Sequence, residues 1–335
     1  MKKAIVSLLI LSAVACSSKK KIPDVSNIKV ELQTIRFEKD FFAVDTNKID
    51  ASLQSLNNKF PGFTQDFLFN ILGTAPNNDS AAKDIKMFMR TYKSMYDSSQ
   101  IIFANFNKIE KEVKTGLQRV KYYFPDYKEP KQLITFVGPI NSYGNIITPD
   151  ALGVGLQLYL GQNYSIYNSD EGKEMYPFYM SRRFTPDYIP VNCMKNIIDD
   201  MFPYKNAGRP LIEQMIEAGK RLYVLDAFMP ETADSIKTGY TQAQLTGCYD
   251  HEKDIWAFFL QNDLLYNADI SRIGSYINDG PNTTEFGPSS PGNIGQFIGW
   301  QIVKKWMDKN EKVTLAGLVK TPASKILDEA KYKPR

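Results

Sequence analysis

Glu213 and Glu217 stand four residues apart in RPLIEQMIEAGKRLYVLDAFMP, so a helix there carries both carboxylates on one face. That spacing suits general acid–base chemistry or a shared metal ion. Lys220 and Arg221 follow Glu217 by three and four residues, however, and a charge-compensated solvent face has the same spacing. The second reading is preferred. His251 lies in Cys248-Tyr-Asp-His-Glu, where a thiolate, an imidazole and two acids occur together. A metal cluster or a Cys–His pair is one reading. The preferred one is a helix start, with Asp250 as its cap and Glu252 and Asp254 near the positive end of the dipole. Asp199 and Asp200 are adjacent, point about 100° apart on a helix and do not clamp one ion together.

Histidine supplies the strongest exclusion, because the chain has 1. Two-histidine zinc sites and HExxH helices are therefore ruled out. No GxxxxGK[ST] or GxSxG occurs, and Gly153-Val-Gly155 lacks both a third glycine and a following helix, so it does not read as a nucleotide fingerprint. No basic stripe interleaved with aromatics points to nucleic acid. Glu213, Glu217 and His251 remain the catalytic candidates; the expectation is a non-enzymatic protein with no metal and no cofactor.

The elements that must position these residues are mostly helical. IKVELQTIRF alternates as a strand from Ile28. Helices are expected over Ile49–Phe60, Phe63–Leu72 and Ile85–Tyr96, and apolar residues at spacings of three and four predict one long helix over Gln100–Phe124. After Pro130, LITFVG and NIITPDALGVGLQLYLG predict a small sheet within 131–161. From Ile189 the pattern is helical to about residue 330, including a helix between Pro210 and Pro230 and one in SSPGNIGQFIGWQIVKKWMDKN with Ser290 as N-cap and Pro291 at its first position. Gly295 and Gly299 share a face of that helix, and a close backbone neighbour is the expected reason. A chain of 335 residues that is 43% hydrophobic buries a substantial core.

Lys2 and Lys3 precede about a dozen mostly apolar residues, the size of an export signal and short of the roughly 20 needed to span a bilayer. Ala13-Val-Ala before Cys16 resembles a lipobox, although the usual Leu three residues before the cysteine is replaced by Ala13. The expectation is cleavage after residue 15, acylation of Cys16 and a tether over 16–27, with the protein held on a membrane by its lipid. An ordinary secretory signal is the alternative. In an oxidising envelope Cys193 and Cys248 would form one disulfide or remain two buried thiols.

Assembled in order, the lipobox, IKVELQTIRFEKDFF, LGVGLQLYLGQNYSIY, MIEAGKRLYVLDAFMP, EKDIWAFFLQNDLLY, SPGNIGQFIGWQIVKKWM and ILDEAKYKP resemble the gliding-motility lipoprotein family GldB of Bacteroidetes. That family is similar in turn to zincin-like metallopeptidases. Here CMKNIIDDMF occupies the place of the HExxH helix without a histidine, while MIEAGKRLY keeps Glu217 in the setting of a glutamate ligand. The resemblance implies an α+β, mainly helical, zincin-like domain over 28–335, with helical parts at 49–125 and 189–330 and no zinc site. It implies a lipid-anchored envelope protein that contacts other gliding and type IX secretion components; the outer membrane is the expected site, and the absence of an acidic run after Cys16, of the kind that resembles a surface-export signal, favours a periplasm-facing protein. The aromatic segments 159–188 and 266–300 are the expected contact surfaces, with burial of these rings in the core as the alternative. A divergent hydrolase using Glu213, Glu217 or Asp250, and a periplasmic module binding glycan or peptide, are the alternatives.

Overall fold

The LITF segment lies in the middle of a sheet and is apolar on both faces, as expected of a parallel strand covered from both sides. The computed structural model describes residues 22–74 and 78–334, the side chains of 78–80 excepted. The expected export signal, Cys16 and the beginning of the expected tether lie outside them. Four strands form the sheet: β1 (Gln33–Arg36), β2 (Gln132–Phe136), β3 (Asn145–Ile147) and β4 (Ala151–Gly155), in the order β1-β2-β4-β3. β1, β2 and β4 are parallel, and β3 forms the antiparallel edge, with Ile146 opposite Gly153. The expected sheet within 131–161 is present, joined by β1 from far upstream.

The long crossover from β1 to β2 is helical: α1 (Phe37–Phe42), α2 (Ile49–Lys59), α3 (Phe63–Gln65) running into a π-helical stretch Asp66–Ile71, α4 (Asn78–Thr91), α5 (Lys93–Ile102) and α6 (Asn107–Tyr123). Two expectations are corrected here. The strand is Gln33–Arg36; Ile28 to Leu32 runs beside α6, where Gln118 Nε2 donates to the Ile28 carbonyl at 2.8 Å. The single helix expected over Gln100–Phe124 is broken between Ile102 and Asn107, where Asn105 Oδ1 accepts from the Asn107 amide at 2.9 Å.

Alternate side chains of the strands point to opposite faces. Ile134, Phe136 and Ala151 meet a phenylalanine-rich cluster from α1 to α4, whereas Leu133, Leu152 and Val154 join the larger core of the second half. Glu38, 1% exposed, ties the first layer to the sheet: it accepts from Arg36 Nε and Thr135 Oγ1, both at 2.6 Å.

Beyond the sheet come α7 (Asp170–Met175), α8 (Phe178–Ser181), α9 (Tyr188–Met201), α10 (Leu211–Phe228), α11 (Asp234–Thr238), α12 (Gln242–Asp250), α13 (Glu252–Gln261), α14 (Ile270–Ile277), α15 (Ile294–Lys309), α16 (Leu315–Lys320) and α17 (Ala323–Ala330). α10 and α15 cross at their glycines, as the Gly295 and Gly299 spacing suggested. A Cβ on Gly299 would lie 1.7 Å from the Met215 carbonyl oxygen, and one on Gly219 would lie 2.2 Å from Gly299. Only glycine permits this approach.

Two expected caps are corrected. Asp250 ends α12, and the helix after it starts beyond His251; the N-cap with reciprocal bonds is Thr241, which pairs with Gln244 at the start of α12. Ser290 does not cap α15. Its Oγ serves the preceding loop, accepting from the Thr283 amide at 3.0 Å, while α15 begins after Asn293, which adopts φ 53°.

Candidate functional site

α10 places Glu213 and Glu217 together, on the wall of a cavity of about 600 Å³ closed by the 202–209 loop and the 319–324 segment. Glu217 is committed: Lys220 Nζ donates to it at 2.7 Å, and Arg209 approaches to 4.0 Å. Lys220 is buried and also donates to the Thr321 carbonyl at 2.6 Å, so this pair joins α10 to the chain between α16 and α17. The Glu213 carboxylate has no hydrogen-bond or ion-pair partner among the described residues. Arg221 turns away from Glu217, pairs with Asp199 at 2.5 Å and lies over the Tyr204 ring at 3.6 Å. Asp200 accepts from Tyr127 at 2.7 Å, so the two adjacent aspartates do diverge.

His251 is exposed between α12 and α13, with Asp254 Oδ2 at 3.4 Å from Nδ1. Cys248, His251 and Asp254 do line one cavity, of about 370 Å³, together with Phe286 and Ile294. Cys193 and Cys248 are separate free thiols, both buried, and burial pushes each up to about 12. Such thiols are poor nucleophiles and poor ligands near neutral pH. Among the described residues, no three His, Cys, Asp or Glu side chains are grouped to hold a metal ion.

The larger feature is a groove across α9. A chamber of about 420 Å³ lies between α9, α10, the end of α14 and the start of α15; it shares Ile198, Tyr204, Asn206 and Arg221 with the cavity holding Glu213 and Glu217. On the other side Lys195 is common to this chamber and a third cavity, of about 230 Å³, beside the β3 edge. Among the described residues, seven cationic side chains line the three cavities against three acids. Most cations have local partners: Arg183 pairs with Asp279, and Arg221 with Asp199.

Lys195, Lys205 and Lys320 have none among the described residues, and of these three only Lys195 is not exposed. Its ammonium makes no ion pair or hydrogen bond among the described residues, and desolvation, reinforced by Arg183, lowers it from 10.5 to about 8, with Asp279 and Asp199 acting the other way. Nearby, Asn145, Tyr159 and Asn192 form a hydrogen-bonded chain in which Asn192 Nδ2 donates to the Tyr159 hydroxyl at 2.8 Å, and the hydroxyl donates to Asn145. Burial holds the Tyr159 phenol far above its usual range, so it stays a neutral donor.

The sequence profile described as "Gliding motility protein GldB" matches residues 18–334, nearly the whole chain. The chain belongs to that family. No match was found among curated proteins or among solved structures.

In this GldB-family chain, two of the sequence's candidates, Glu213 and Glu217, lie on the groove, and His251 does not. Lys195, Asn206, Asn278 and Asn293 were missed. Their signal is faint: a lysine among the apolar residues of VNCMKNII, and asparagines outside the helices and strands. Of the aromatic segments, Phe178 and Tyr266 are exposed, at 67% and 75%, whereas Tyr159, Tyr167, Tyr276 and Trp300 are core.

Proposed function

We propose that this GldB-family chain serves gliding motility as a non-catalytic, lipid-anchored envelope protein, holding other components of the gliding and type IX secretion machinery by contact. Cys16 would supply the anchor, on the outer membrane and facing the periplasm; no helix of the described residues is long and apolar enough to cross a bilayer. The observation that supports contact rather than chemistry is the groove: long, basic, and lined by carboxylates such as Glu217 and Asp199 that are already committed to cations. Its charge suits an extended acidic partner.

Zincin-like descent belongs to the same reading. A mixed sheet with an antiparallel edge, followed by α9 and then α10 carrying Glu217, supports it. On this view the body that once presented catalytic groups now presents a docking surface.

The test is charge reversal at two exposed groove cations, Lys205→Glu with Lys320→Glu. Gliding and secretion should be lost at unchanged protein level, and the same loss should follow Cys16→Ala. Cleavage of a peptide by the purified chain, abolished by a chelator, would replace this reading with the hydrolase alternative. Normal gliding by the doubly reversed variant would remove the groove from it.

A further inference from the structure

The middle chamber of the groove contains an unmatched positive charge. Lys195 from α9 borders it, and Asp199 on the same wall is taken by Arg221 at 2.5 Å. Around the lysine, the side-chain amides of Asn206, Asn278 and Asn293 make no hydrogen bonds among the described residues. Each can donate and accept. Asn293 precedes α15, a helix of 16 residues whose first turn borders the chamber through Gln296 and whose cap makes no side-chain bond.

We propose that this chamber binds the free carboxylate end of a peptide chain, with the carboxylate on the Lys195 ammonium and the asparagines on the peptide's amides. The charge count favours a carboxylate: one unmatched cation balances one negative charge, and a phosphate near two would leave an excess. The lining favours a peptide over an acidic sugar. Among the described residues Tyr204 is the only aromatic of the chamber, and Arg221 already covers its ring at 3.6 Å, so none of them offers a bare plate for a sugar. A cavity of about 420 Å³ accommodates a few residues.

Protonation gives a second handle. Facing the Lys195 region are Arg183 beyond α8, Asp279 beyond α14, Asp199 on α9, Arg221 on α10, and the phenols Tyr159, Tyr188 and Tyr204, all raised by burial. Lys195 is therefore the group that changes charge between neutral and mildly alkaline pH. A bound carboxylate favours its charged form, so binding takes up a proton and weakens as pH rises.

The inference deepens the contact reading, since the chamber is part of the same groove, yet it fails separately. The full chain in detergent is titrated by calorimetry with N-acetyl-trialanine, its C-terminal amide, glucuronic acid and inorganic phosphate. The free acid should bind at least about tenfold more tightly than the amide, as expected for losing one charge-assisted hydrogen bond. Its affinity should fall at least about tenfold between pH 7 and pH 10. Lys195→Met should abolish the preference for the acid, and Asn278→Ala, at an exposed position, should weaken binding about threefold. Equal binding of acid and amide, an unchanged Lys195→Met variant, no binding of the tripeptide, or binding of glucuronate or phosphate instead would each overturn it. Loss of gliding on reversal of Lys205 and Lys320 beside any of these results would leave the contact reading standing alone.

Discussion

On one face of the sheet, Phe37 packs against Phe41, Phe60, Phe63 and Phe67 with ring centroids 4.9 to 6.0 Å apart. On the other, α10 and α15 touch backbone to backbone through Gly219 and Gly299, and polar side chains line the spaces beside them. Ring-on-ring packing fills its layer with side chains that carry no hydrogen-bonding groups. Backbone contact brings two helices close at one point and lets them diverge away from it, which leaves room for a groove. The difference separates a supporting layer from a binding face, and each side responds in its own way to substitution.

The largest effect is expected in the supporting layer. Phe67 is fully buried and touches Phe37, Phe41, Phe88 and Phe136. Phe67→Ala should cost about 4 kcal/mol in denaturant unfolding. At a temperature where the variant remains folded, binding in the groove should be unaltered. If tripeptide affinity fell as well, the two faces would be coupled and the separation would fail.

Gly299→Ala comes next, at about 3 kcal/mol, because its methyl group would overlap the Met215 carbonyl. Met215 also lines the middle chamber, so this variant should change stability and binding together. A stability loss with unchanged affinity would show that the crossing does not shape the groove. Asp226→Asn should follow at about 2 kcal/mol. Asp226 accepts from Lys237 at 2.5 Å and from the Trp300 indole at 2.8 Å, joining α10, α11 and α15, and the buried lysine would lose half of its compensation. Its carboxyl is raised by burial despite the nearby cations. Thermal unfolding beside a Lys237→Met, Asp226→Asn double variant would show whether the pair couples.

How much of this was legible in the chain depends on the range of the interactions. The sheet within 131–161 was readable because a central parallel strand is apolar on both faces, and the α10 stripe because its period is local. The alternation at Ile28, Val30 and Leu32 reflects real burial, yet this segment lies against α6 instead of pairing in the ladder, and alternation alone does not distinguish the two. The apolar spacing continued through the break at Phe103 to Phe106 because both rings stay buried there while the backbone turns. Glu213 and Glu217 were found from spacing. Lys195 was not, since its surroundings come from α10, α14 and α15, and nothing near residue 195 records them.

That long-range origin makes Lys195 the sharpest probe of the binding face, although its effect on stability is the smallest. The folded-state value is lowered to about 8 from 10.5, so below pH 8 both folded and unfolded chains hold the proton, and the folded one bears a poorly solvated charge. Between about 8 and 10.5 the folded chain releases the proton while the unfolded chain keeps it; the unfolded state then binds more protons, and wild-type stability rises with pH. Lys195→Met removes the charge at every pH. It should therefore be more stable than wild type at pH 7, by on the order of 1 kcal/mol after allowance for partial exposure, and the advantage should shrink steadily toward pH 10.5. Paired unfolding curves across that range measure the difference. A gap independent of pH would mean that the lysine is solvated like any surface residue, and the binding face would then lose the uncompensated charge that distinguishes it from the phenylalanine layer.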